Sequence, residues 1–234
     1  MTRFSFEKAL KELDFNLIKM GTYVEESIEK TIRALTERDA DLASTIIADD
    51  DIIDDMEQNI EKMCVTLIAR QQPLAKDLRL ITSVLKIITD LERIADHSAD
   101  IAELTLNFRD TRFIKPLIDI PKMAEMARQM TDKAIDSFIK KDFELAREVC
   151  ASDDYVDELF ETVKKDLAEI MKGSPGSIDQ IIDLLMIAKY IERMADHATN
   201  IGEWVAYSIT GNHEHLAHIY HKDTLEENPF RNID

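Results

Sequence analysis

The decapeptide ERIADHSADI at residues 92–101 returns as ERMADHATNI at residues 192–201. The correspondence runs on to Glu103 and Glu203 at the same offset of 100. Upstream, DIIDDM (51–56) matches DYVDEL (154–159) at an offset of 103. Two regions repeated in the same order mark an internal duplication. The three-residue difference falls in a connection, where changes of length are cheap. Each half must therefore reach its fold by the same pattern of side chains.

That pattern is helical. Only five Gly and five Pro punctuate 234 residues, which leaves material for few turns and hence for a few long elements. Phe6, Leu10, Leu13, Leu17, Met20, Val24, Ile28 and Ile32 step by three or four and predict a helix to about Leu35. Ile46, Ile53, Met56, Ile60, Met63 and Leu67 predict a second over roughly 39–70. RQQPLAKDLR breaks it, because Pro73 disfavours a helical Gln72 and suits the first turn of a new helix. The third runs to about Asn107, with Leu78, Ile81, Leu85, Ile88, Leu91, Ala95 and Ile101 facing inward. RDTRFIKPLIDIP (109–121) separates the halves. A fourth helix over roughly 117–141 carries Met123, Met126, Met130, Ala134 and Phe138 on one face, as core and not as a cofactor box. A fifth covers about 143–172. After KGSPGS, a sixth runs from an N-cap at Ser177 to about Thr210, with Gly211 closing it. The expected fold is all-α: six long helices in two tandem, pseudo-symmetric three-helix bundles, each up-down-up. Residues 1–110 form the first repeat, 111–211 the second, and 212–234 a polar tail.

The formal net charge of −18 repels phosphate backbones and excludes non-specific nucleic-acid binding, while it attracts cations. Cys64 and Cys150 are too few for a disulfide framework and fit a reducing compartment. The N-terminus lacks the apolar block of a signal peptide, and no run of about 18 apolar residues could span a membrane. A cytoplasmic location is expected.

The acids are arranged in rows. Residues four apart share one side of a helix. Glu92, Asp96 and Asp100 form a row on the flank of the third helix; Asp50, Asp54 and Glu57 or Glu61 form one on the second. The later half repeats them as Asp153, Asp157 and Glu161 against Glu192 and Asp196, with Asn200 where the third carboxylate would stand. Two rows flanking one groove would converge oxygen donors suited to hard ions such as iron(III), manganese, magnesium or calcium. The same rows also read as solvated faces, with Arg93 and Arg193 as surface ion-pair partners. His97 and His197 would then be polar flank residues; in a metal site each could offer an imidazole. A ferritin-like di-metal enzyme is the alternative. It needs Glu-x-x-His pairs projecting into the core, whereas this chain reads Glu-x-x-x-Asp-His outside the apolar stripe. His213, His215, His218 and His221 in the tail could ligate zinc or nickel. No Gly-rich phosphate loop, nucleophile elbow or Cys-x-x-Cys occurs.

RQQPLAKDLR, DLERIADHSADIAE and YIERMADHATNIGEWVAYSITG, in this order and at these spacings, resemble the PhoU family of phosphate-transport accessory regulators. The resemblance spans about Phe4 to Gly211 and includes the doubled three-helix plan. It implies a non-enzymatic adaptor that couples a phosphate ABC transporter, through its ATPase subunit, to a sensor histidine kinase. Such an adaptor represses the phosphate-starvation response when phosphate is plentiful. The resemblance also implies a protein peripheral at the membrane through its partners and a multinuclear metal cluster on E/DxxxD motifs, while the exposed amphipathic edges of two stacked bundles point to a homodimer. Iron is the first expectation for that cluster, with manganese, zinc, magnesium or calcium as substitutes. The motif falls on Asp50/Asp54, Glu92/Asp96, Asp96/Asp100, Asp153/Asp157 and Glu192/Asp196, and Asn200 departs from it. KGSPGSIDQI lacks the RQP-x-A-x-DLR loop of the first half.

Overall fold

The structure, a computed structural model, describes residues 3–173 and 175–212, without the side chains of residues 3, 4, 71 and 175. The tail histidines lie outside the described residues. Six α-helices account for the described chain: α1 (Arg3–Glu37), α2 (Ala40–Gln71), α3 (Ala75–Thr105), α4 (Asp119–Lys140), α5 (Phe143–Gly173) and α6 (Ile178–Thr210). Short 3₁₀ turns at Leu106–Phe108 and Pro175–Ser177 flank the linker and the last connection.

The duplication extends to the turns. Between α1 and α2, Arg38 takes the left-handed conformation (φ 58°), and the carboxylate of Asp39 accepts from the amides of Asp41 and Leu42 at 3.1 and 3.0 Å. Between α4 and α5, at the offset of 103, Lys141 is left-handed (φ 52°) and Asp142 accepts from the Leu145 amide at 3.1 Å. In both, the Asp amide reaches back to a carbonyl five residues earlier, Ala34 or Ser137, each at 2.9 Å. A left-handed residue followed by an Asp cap stops one helix and starts the next within two residues, which forces antiparallel neighbours. Gly211 ends α6 as expected, at φ 81°, its amide donating to the Tyr207 carbonyl at 2.8 Å. Ser177 stands at the N-cap position of α6 but makes no side-chain cap bond, because the preceding 3₁₀ turn holds its backbone away from the extended conformation a cap requires.

Each half packs three helices together, and α3 lies against α6 and α1 against α4 between the halves. One continuous core results. It joins Leu13, Leu17 and Met20 of α1, Ile87, Leu91 and Ile94 of α3, Met123 and Met130 of α4, and Ile187, Ile191 and Met194 of α6. α3 and α6 run antiparallel: Asn107 donates to Asp183 at one end, Asn200 to Asp90 near the middle, and Gly211 lies beside Arg79 at the other. Leu78, expected inward, is 39% exposed, because it sits in the first turn of α3, at the margin of the body. The linker is pinned from both halves: Arg38 donates to the Thr111 carbonyl at 2.7 Å, and Gln180 donates to the Arg112 carbonyl at 3.0 Å while accepting from the Ile114 amide.

α5 and α6 approach closely at Gly202, where an added Cβ would stand 3.0 Å from the Ala146 carbonyl oxygen and 3.1 Å from Cys150 Sγ. A helix carbonyl cannot rotate away as a side chain can. Gly202→Ala is therefore expected to lower stability by about 1–3 kcal/mol, read from the denaturant midpoint, despite the better helix propensity of Ala.

Candidate metal centre

α2 and α3 bring their acids together along one groove. Asp54, Glu92 and Asp96 each offer a carboxylate oxygen, and the three oxygens lie within 4.8 Å of one another. Asp50, one turn before Asp54, feels first the loss of water around it and then the charges of Asp96 and Asp54, which push its carboxyl up to about 6. Glu92 rises to about 7, again first from burial and then from Asp96. Asp54 and Glu57 are raised for the same leading reason, burial, with Asp96 and Glu61 as the charges that act on them most, while Thr89 opposes the shift of Glu57. Asp54 Oδ1 is buried without a partner, and the buried Glu92 Oε2 accepts no hydrogen bond and has only the ion-pair contact of Arg93. Arg93 closes the rim, with Nη1 2.8 Å from Asp96 and Nε 3.3 Å from Glu92.

The second groove, between α5 and α6, repeats the plan. Burial, then Asp196, Asp157 and Glu192 in turn, push Asp153 up to about 7, and its buried Oδ1 has no hydrogen-bond partner. Asp157 and Asp196 are raised by burial first and then by Glu192. Lys189 makes an ion pair with Glu192. Eight acids expected from the sequence thus form two sets of four: Asp50, Asp54, Glu92, Asp96, and Asp153, Asp157, Glu192, Asp196.

Two expected ligands point elsewhere. Four residues of helix advance about 40° beyond a full turn, so the third member of a row has swung about 80° from the first. Asp100 consequently bonds His97 Nδ1 at 3.2 Å and is the least of the charges acting on Asp50. Asn200 leaves the groove altogether and donates to Asp90 of α3 at 3.2 Å. His97 and His197 are not flank residues. They meet across the α3–α6 seam with ring centroids 5.7 Å apart; His97 stacks on Tyr190 at 5.3 Å, and His197 Nδ1 lies 2.8 Å from Asp90. Burial lowers the His97 pKa, against the opposing hydrogen bond to Asp100. Asp90 and Lys189 have no place in the sequence reading. Each stands where the repeat is broken, opposite Tyr190 and Thr89 at the offset of 100, and that break was the available signal.

Orphaned, partly dehydrated carboxylate oxygens crowded by like charges fit a hard cation, and an all-oxygen donor set suits no soft one. The grooves are open. A cleft of about 500 Å³ between α1 and α2, lined by Ala9, Met63 and Leu67 among others, holds none of these acids. Nor does one of about 700 Å³ at Asn107, Thr111 and Gln180.

An all-helical, twice-repeated body with one acid groove per repeat defines a class of duplicated helical-bundle proteins. The PhoU domain family profile matches residues 17–105 and again 120–205. The chain is 38% identical over 212 residues to the phosphate-specific transport system accessory protein PhoU homolog of Clostridium acetobutylicum, covering 90% of this chain and 97% of that one. It is 37% identical over 186 residues to the homolog of Aquifex aeolicus, covering 80% and 84%. The crystal structure of PhoU from Pseudomonas aeruginosa superposes with a TM-score of 0.86 at 32% identity, over 88% of this chain and all of that one. The phosphate transport system regulatory protein PhoU from Streptococcus pneumoniae superposes at 0.84 and 28% identity, over 89% and 99%. The chain belongs to the PhoU family.

Raised carboxyls give the cation-free protein a definite pH dependence. Asp50, Glu92 and Asp153 bind protons more tightly folded than unfolded, so their contribution is present below the unfolded carboxylate range and is lost as pH rises through about 6 to 7. The melting temperature of the cation-free protein is expected to fall between about pH 5 and about pH 8. Mn²⁺ should restore it at the upper end and do little at the lower. Glu92→Gln should flatten the fall; a melting temperature that climbs across this window would contradict these environments.

Proposed function

We propose that the chain regulates phosphate uptake and signalling as a cytoplasmic adaptor, not as an enzyme, and that hard cations held in its two acid grooves set the surface it offers. The observation that carries this reading is the convergence of Asp54, Glu92 and Asp96 from two helices, with the same acids recurring in the second half. Regulation of phosphate transport follows from family membership. Its partners, on this proposal, are the ATPase subunit of a phosphate ABC transporter and a sensor histidine kinase, whose starvation response it holds off when phosphate is plentiful. Iron is the first candidate for the cluster, followed by manganese, zinc, magnesium and calcium. Asp50, Asp54, Glu92 and Asp96 would hold it in one groove, and Asp153, Asp157, Glu192 and Asp196 in the other. The bound ions would supply positive charge; the chain itself supplies two rigid helix pairs whose faces change sign of potential when the grooves fill. A bare carboxylate groove repels phosphate, so phosphate is read through the partners or through a bridging metal.

The open grooves favour an adaptor over a ferritin-like di-metal enzyme. That chemistry needs acids projecting into the bundle core, and among the described residues no Asp or Glu is fully buried. None of the described helices is long and apolar enough to cross a membrane, which agrees with a protein that reaches the membrane through partners. The proposed homodimer has an apolar stripe available at Ile178, Ile182 and Met186 of α6, each at least 38% exposed.

The doubly substituted Glu92→Ala, Asp96→Ala protein is expected to lose about half of the metal found by elemental analysis, and its capture of the transporter ATPase should weaken at least ~10-fold. Metal content equal to that of the parent chain would reject the site.

A further inference from the structure

The two grooves are copies that have diverged, and the differences are cationic and local. At the offset of 100, Thr89 of the first groove corresponds to Lys189 of the second; at the offset of 103, Glu57 corresponds to Phe160. In the first groove Thr89 is uncharged and donates its hydroxyl to the Leu85 carbonyl at 3.2 Å, and Glu57 adds a fifth carboxylate beside Asp54. In the second, Lys189 lies 5.4 Å from the centroid of the Phe160 ring and makes its ion pair with Glu192, whose side chain is only 12% exposed. The first groove also has a counter-charge, Arg93, but that side chain is 53% exposed on the rim against 39% for Lys189, and it divides itself between Glu92 and Asp96. Convergence follows the same division. Among the described residues, Asp54, Glu92 and Asp96 are the group whose ligand oxygens already lie within 4.8 Å of one another.

From these differences we infer that the grooves fill in order, α2/α3 before α5/α6, because Lys189 stands as an internal cation on Glu192 and must be displaced before an ion can bind there. This rests on the cation-binding reading given above. The ammonium is seated from two sides: the carboxylate of Glu192 attracts it, and the face of Phe160 holds it in a partly dehydrated position where a ring is a fair substitute for water. A cation entering the second groove has to break both contacts and release Lys189 to solvent. A cation entering the first finds three oxygens preset, two more acids nearby and a guanidinium that can swing outward while keeping its hydration. Filling in order makes the protein a graded sensor of cation supply and not a two-site switch that closes at one concentration. Lys189 acts here as a positioning residue that tunes the groove and does not ligate.

The full chain, stripped of metal, would be titrated with Mn²⁺ and the free ion counted by electron paramagnetic resonance. Two classes of site separated by at least about tenfold in affinity are expected for the parent. Lys189→Thr should raise the weaker class by about tenfold and leave the stronger one in place, while Asp54→Asn should remove the stronger class alone. Lys189→Gln guards against an effect of side-chain length and should act in the same direction as Lys189→Thr. Circular dichroism of each variant verifies the fold. A single class of equal sites in the parent, or a weaker class indifferent to both Lys189 substitutions, overturns the ordered filling while leaving cation binding intact. An absence of Mn²⁺ binding in the parent overturns the cation reading itself and this inference with it.

Discussion

The antiparallel packing of α3 on α6 is the contact on which the rest depends. Each helix gives a fully buried strip to the common core, Ile87, Leu91 and Ile94 on one and Ile187, Ile191 and Met194 on the other. Burying such side chains is worth about 1.5–3 kcal/mol each before entropy is counted, so the seam is where the halves become one body. It also fixes rotation. Once Leu91 and Ala95 are committed inward, Glu92 and Asp96 are carried about 100° round the helix, to the side where α2 packs. Ile191 and Ala195 commit Glu192 and Asp196 toward α5 in the same way. The grooves are consequences of which residues the seam buries.

Electrostatics then works against the packing that created it. Each groove gathers carboxylates whose burial favours the protonated form, and their mutual repulsion adds to that tendency. A cation that binds only the folded arrangement removes both penalties at once and so couples ion supply to rigidity. The exposed pairs elsewhere, such as Lys140 with Asp136 or Lys172 with Glu169, lie on single helix faces and contribute little. Charge matters in this protein where it faces another helix and not where it faces water.

The extent of the helices was legible because the apolar period is nearly unbroken and Pro73 and Gly211 are chemically explicit stops, whereas the turns at Arg38–Asp39 and Lys141–Asp142 carry no Gly or Pro to announce them. Leu78 misled because periodicity says which side of a helix is apolar but not where the neighbouring helix ends. Eight of the acids were legible for the same reason as the core, since a residue adjacent to a buried strip must flank it. Asp100 and Asn200 were read by extending a four-residue step over eight residues, where helical drift takes them off the row. The roles of His97, His197 and Asp90 could not be read from one helix at a time, because they exist only in the register of α3 against α6.

That register explains why a duplicated chain did not stay symmetric. A perfect copy would place an Asp at 190 and another at 200, opposite Asp90 and Asp100 across the same seam. Asp90 is only 13% exposed on its side chain, so four acids there would meet in a strip with little water to separate them. The chain has Tyr190 and Asn200 instead. Tyr190 turns one of those positions into a stacking surface for His97, and Asn200 supplies an N–H donor to Asp90 where a second carboxylate would have repelled it. His197 completes the pair on the same oxygen. Asymmetry at the seam thus follows from joining two acidic copies face to face. Asymmetry in the grooves does not, since each groove lies within its own half and no symmetric clash required Lys189 or Phe160. The first kind of divergence belongs to assembly of the fold; the second is free to belong to function.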